Sequence, residues 1–87
     1  MTEILNKNID RMTETAIDDE IVVMSLDTGD FFSIRDTSRS IWELIDGQTP
    51  TDRIVEIVAD QYQVESSAIK DDVEGFMGEL KAAGLIR

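Results

Sequence analysis

The side chains that could do chemistry here are acids. Nineteen Asp and Glu occur in 87 residues, and they crowd most at Asp18-Asp19-Glu20 and Asp71-Asp72. Two carboxylates can share acid and base work when their surroundings push their pKa values apart. Neither cluster is placed for that. The first falls in a turn of the pattern, and the second is read into the first turn of a helix, where negative charge offsets the helix dipole. A divalent-cation loop needs acids at alternating positions, a glycine and a closing Glu, and Asp27-Thr28-Gly29-Asp30 is too short for one. The chain has no histidine and no cysteine. That removes the commonest general base, the commonest zinc ligands and every Ser–His or Cys–His pair. The five glycines, Gly29, Gly47, Gly75, Gly78 and Gly84, are dispersed, so no phosphate-cradling loop forms. The expectation is a non-enzyme with no catalytic residue, no metal and no cofactor.

What remains is binding. A chain this short builds one small core and has little room for a deep cavity. Its formal net charge of −11 repels phosphate backbones. The eight cations are scattered from Lys7 to Arg87 and make no basic patch. Nucleic acid is therefore not an expected partner, and basic or neutral partners are favoured at long range. No apolar run approaches the ~20 residues that span a bilayer. Met1 to Asp10 is polar and lacks a basic region followed by an apolar one, so no signal peptide is expected. Together with the missing cysteines this points to a cytoplasmic protein without membrane contact.

The elements that would carry a binding site can be read from the periodicities. Residues 1–8 read as a flexible N-terminal tail, and 9–87 as the domain. Met12–Ile17, with Thr13, Thr15 and Ile17, is a first strand, closed by a turn at Asp18-Asp19. Ile21–Leu26 is apolar and rich in β-branched residues, and Phe31–Ile34 follows it across the Asp27–Asp30 turn as the second arm of a hairpin. The period then changes. Asp36 or Thr37 can cap a helix carrying Ile41, Trp42, Leu44 and Ile45, which Gly47 would end. Trp42 is expected in the core, with a partner for its indole N–H. Thr49–Asp52 opens a second helix with Ile54, Val55, Ile57, Val58 and Tyr62 on a broad buried face. A third begins near Ser66 or Ser67, and Ile69, Val73, Phe76, Met77 and Leu80 form one stripe on it. Gly75 and Gly78 inside it are either tolerated or admit a close neighbouring chain. Gly84 stops the helix, and Leu85-Ile86 returns to the core. Strands followed by helices make an α+β domain: a three-stranded antiparallel sheet followed by three helices. Such a sheet leaves at least one edge open, and the edge of Phe31–Ile34 is the candidate.

These features in this order resemble the PqqD family, also known as the RiPP recognition element. The resemblance runs from Ile21 to Arg87. It is carried by the aromatic pair of Phe31-Phe32-Ser33-Ile34, the helix Ile41-Trp42-Glu43-Leu44-Ile45-Asp46-Gly47, the segment Asp72-Val73-Glu74-Gly75-Phe76 and the ending Gly84-Leu85-Ile86. It departs from the family pattern at Ile34-Arg35, where Leu-Asn is usual, and at Ser38, where Gly is common. The resemblance implies a winged-helix-like architecture. It also implies a function: binding the leader segment of a ribosomally synthesised precursor peptide and presenting it to a maturation enzyme. That enzyme would be a leader peptidase, as in lasso-peptide biosynthesis, or a radical S-adenosylmethionine enzyme, as in pyrroloquinoline quinone (PQQ) biosynthesis. The leader would add as a strand to Phe31, Phe32, Ser33, Ile34 and Arg35. Alternation puts Phe31 and Ser33 on one face and Phe32 and Ile34 on the other, and the resemblance implies that Phe32 and Ile34 are the pair that belongs to the core. The groove floor would come from Val73, Phe76, Met77 and Leu80, with Asp72 and Lys81 at the rim.

Other readings lead elsewhere. A winged-helix DNA binder needs Lys and Arg on its recognition helix, but the third helix sets Lys70 and Lys81 against Asp71, Asp72, Glu74 and Glu79. An acyl-carrier-like protein needs an attachment serine in an Asp-Ser-Leu-like sequence, and none is present. A winged-helix protein acting through protein–protein contacts would share the fold. The open edge could also pair with a second copy, giving a monomer or a weak dimer.

Overall fold

The computed structural model describes residues 3–87; Met1 and Thr2 lie outside the described residues. Three antiparallel strands come first: β1 (Met12–Ile17), β2 (Glu20–Ser25) and β3 (Phe31–Arg35), in the order β1-β2-β3. Three helices follow: α1 (Thr37–Leu44), α2 (Thr51–Gln61) and α3 (Ser66–Ala82). This is the expected α+β order of a three-stranded sheet followed by three helices.

One face of the sheet is dry and the other is not. Ile21, Val23 and Ser25 of β2 are buried, as is Ile34 of β3. They share a face because Ile21 pairs with Ile34 and Val23 with Phe32. The helices close over this face with Ile41, Trp42, Ile54, Val58, Val73 and Leu80. Trp42 is fully buried, and its indole N–H donates to Glu14 Oε1 of β1 at 3.0 Å. The partner required for a buried indole is thus a carboxylate from across the sheet.

Residues 1–8 were expected to be a flexible tail; the described part, residues 3–8, is instead a packed strap. Leu5 is only 2% exposed and belongs to the core. Asn6 and Arg87 exchange two backbone hydrogen bonds of 2.8 and 2.9 Å. The Asn8 N–H donates to the Leu85 carbonyl, and the Glu3 carbonyl accepts from the Thr51 N–H. Lys7 lies over the Trp42 ring, 4.6 Å from its centroid. Polarity hid this. The strap satisfies its polar main chain by pairing with 85–87 and needs one apolar anchor only. Gly47 serves the same strap: it has φ +79°, and a Cβ there would collide with the Asn6 side-chain oxygen.

Several boundaries also differ from expectation. α1 ends at Leu44, before Gly47, because Ile45 turns into the core. Asp46 then holds the loop, accepting the N–H groups of Gln48 and Thr49, each at 2.9 Å. Asp36 occupies the cap position of α1 without a side-chain cap bond. α3 starts at Ser66, which puts Asp71-Asp72 in its second turn rather than its first, away from the exposed N–H groups. Tyr62 is exposed rather than buried, within 3.3 Å of Ser40 Oγ.

Candidate peptide-binding edge

The register decides which backbone groups of β3 are free. The Ser25 N–H donates to the Asp30 carbonyl at 2.8 Å, and these two residues stand opposite each other as the ladder continues. In an antiparallel pair, hydrogen-bonded and non-bonded positions alternate. Val23↔Phe32 and Ile21↔Ile34 are therefore bonded, and Phe32 and Ile34 spend their N–H and C=O on β2. Phe31, Ser33 and Arg35 direct theirs away from the sheet. The β3 edge thus offers three donors and three acceptors in the spacing of a strand. It carries no proline and no lysine, the common guards of an exposed edge.

The side chains along this edge split by face. Phe31 is 70% exposed and stands beside Met24 on the bare face. Ser33 donates its hydroxyl to Glu20 at 2.7 Å, and Arg35 reaches the same carboxylate at 3.9 Å. Ile34 is buried, and Phe32 is partly buried against the core.

On α3 the expected groove floor divides. Val73 and Leu80 are fully buried and Met77 nearly so, so all three are core residues. The slight exposure of Met77 opens toward α2. There, Thr51, Val55 and Glu56 face Ser66, Lys70, Val73, Glu74 and Met77 across an open groove of about 540 Å³. The opposite flank of α3 carries Asp72, Phe76 and Glu79, at i, i+4 and i+7, and Ala83, the residue that caps the helix, continues the line at i+11. Phe76 and Ala83 are partly buried against the core, and Asp72 and Glu79 are exposed. Asp72 and Lys81 do not form one rim. They are nine residues and so about two and a half turns apart, on opposite sides of the helix. Lys81 is ion-paired with Glu3 of the strap. Glu79 and Ala83 are the flank residues that sequence reasoning missed; continuing the Asp72–Phe76 spacing by one turn would have found them. At Gly75 and Gly78 a Cβ would meet nothing within 4 Å, so neither glycine serves a close approach within the described structure.

A meander of three strands with a bare edge and three helices over one face is the RiPP recognition element fold. The chain belongs to the PqqD family: the family model described as coenzyme PQQ synthesis protein D (PqqD) matches residues 20–86. Among solved structures it is similar to TbiB1, seen in complex with the TbiA(β) leader peptide. The TM-score is 0.83, sequence identity is 26%, and 94% of each chain is covered. No curated protein sequence matches the chain.

Proposed function

We propose that this protein binds the leader segment of a ribosomally synthesised precursor and presents it to a maturation enzyme, without performing chemistry itself. The leader adds to β3 as a fourth antiparallel strand. Main-chain pairing to Phe31, Ser33 and Arg35 supplies affinity, and pockets for alternate leader side chains supply selectivity. The groove side of that strand is Phe32 together with the α3 flank of Asp72, Phe76 and Glu79. The observation that carries this reading is the bare β3 edge, in a fold matched over 94% of its length by a leader-bound protein. The scarcity of catalytic side chains supports an adaptor. The enzyme served would be a leader peptidase of the lasso type or a radical S-adenosylmethionine enzyme.

The test is an amide spectrum of the ¹⁵N-labelled protein, titrated with synthetic precursor leaders, the TbiA(β) leader among them. Shifts should concentrate at Phe31–Arg35 and at Asp72, Phe76 and Glu79. Shifts confined to α1 would overturn the proposal.

A further inference from the structure

The three β3 residues whose main chain points outward also share one face of the sheet, the bare one. Phe31 stands beside Met24, Ser33 beside Val22 and Arg35 beside Glu20, and none of the six is buried. A strand bonded to Phe31, Ser33 and Arg35 sets one residue directly opposite each of them. Opposed side chains of an antiparallel pair lie on the same face, close enough to interact. Every second side chain of an added strand therefore meets the bare face, and the ones between turn to the groove.

The two ends of this row differ in chemistry. Arg35 is the one cation on β3. Its side chain is 67% exposed, and its ion pair with Glu20 is long, at 3.9 Å. The same Glu20 carboxylate already accepts the Ser33 hydroxyl at 2.7 Å. A guanidinium has five N–H donors, so Arg35 keeps the capacity to hold a second carboxylate. Phe31, at the other end, is 70% exposed and has Met24 on its inner side. Aromatic and β-branched residues are favourable cross-strand neighbours for such a ring. Ser33, between them, is small and its hydroxyl is engaged, so it selects little.

We propose that the bare face selects leaders with an Asp or Glu opposite Arg35 and, four residues later, an aromatic or β-branched residue opposite Phe31. The order follows from the antiparallel direction, which runs the leader from Arg35 toward Phe31. The leader residues facing Ile34 and Phe32 turn to the groove, where the exposed Asp72 and Glu79 of α3 disfavour an acid. The acid is thus placed at one position and not spread along the segment. The pair also fixes register. Main-chain bonds repeat every two residues, so they tolerate a two-residue slip, but such a slip takes the acid from Arg35 and the aromatic from Phe31. The inference rests on strand addition at β3 and names the class of leader that this edge takes.

A library of random peptides, displayed on their own messenger RNA and selected on the intact protein, tests it. The net charge of −11 biases such a library toward basic peptides, so an acid kept at one position is a local preference. Selected peptides should carry that acid four residues ahead of an aromatic or β-branched residue. Replacing the acid by its amide should weaken binding to the wild type by about 1.5- to 5-fold, and should leave binding to Arg35→Gln unchanged. Selection on Arg35→Glu should put Lys or Arg at the same position. Replacing the aromatic by Ser should cost the wild type more than it costs Phe31→Ser. These variants alter exposed side chains, and the amide spectrum verifies that each is folded. Peptides that shift the amides of Phe31–Arg35 but show no such acid, or lose equally on the wild type and Arg35→Gln, would overturn the inference and leave strand addition standing. Peptides that leave those amides unmoved would overturn strand addition and the inference with it.

Discussion

Ser33 is the residue at which strand addition can be separated from fold integrity. Its N–H and C=O point away from β2, because the bonded positions on β3 are Phe32 and Ile34. Ser33→Pro deletes the outward donor while leaving the β2–β3 ladder intact, a setting in which proline is tolerated in a strand. The leader carbonyl that would have accepted this bond is then desolvated without a partner. That costs about 1–3 kcal/mol, which weakens binding by about 5- to 150-fold. Ser33→Ala is the control. It keeps the main chain and loses only the exposed hydroxyl bond to Glu20. Its affinity should stay within about twofold of wild type, as expected for an exposed substitution. Isothermal titration with the synthetic leader measures both variants, and the amide spectrum verifies that each is folded. The reasoning fails if Ser33→Pro binds as the wild type does. It also fails if Ser33→Ala loses as much as the proline, since the side chain would then carry the contact.

The strap predicts a stability effect where a flexible tail predicts none. Leu5→Ala should cost about 2–5 kcal/mol in urea denaturation, in the range of buried leucine truncations, whereas a solvated tail residue would change stability by about 0.5 kcal/mol or less. The loop after α1 predicts a pH dependence. The Gln48 N–H, and then the Thr49 N–H, hold the Asp46 carboxyl below its ordinary 3.8. A depressed carboxyl stabilises the fold fully above its unfolded pKa and loses that contribution as pH falls through the lowered folded value. Asp46→Ala should therefore remove part of the acid-side slope of stability below about pH 4, seen as melting curves that converge with wild type at low pH. Curves that stay equally separated down to low pH would refute the loop's role.

The parts of this molecule that sequence revealed are those governed by a repeating pattern. The β-branched run of β2, the glycine turn and the apolar spacing of Ile41, Trp42 and Ile45 each follow from a local periodicity, so the element order was legible. What local pattern could not show was pairing over long separations. The strap contributes a single buried residue, Leu5, amid Glu3, Asn6 and Asn8, and its stability comes from hydrogen bonds to Arg87 and Leu85 at the other end of the chain. No window of neighbouring residues contains that information. The same limit explains the α3 stripe. Val73, Phe76, Met77 and Leu80 all read as one apolar face, yet only Phe76 of these leans to the flank turned from α2. A stripe about three residues wide covers enough of the helix to touch the core and both flanks at once, and hydrophobicity alone does not divide it. Polar neighbours divide it instead: Lys70 and Glu74 mark the α2 side, and Asp72 and Glu79 mark the other. The strand edge was legible for a related reason. Alternation assigns each side chain to a face from sequence alone, but which main-chain groups stay free depends on where the first cross-strand bond falls. The Ser25–Asp30 bond settles that for β3, and it makes Ser33, rather than either phenylalanine, the residue whose backbone a leader strand would meet at the centre of the edge.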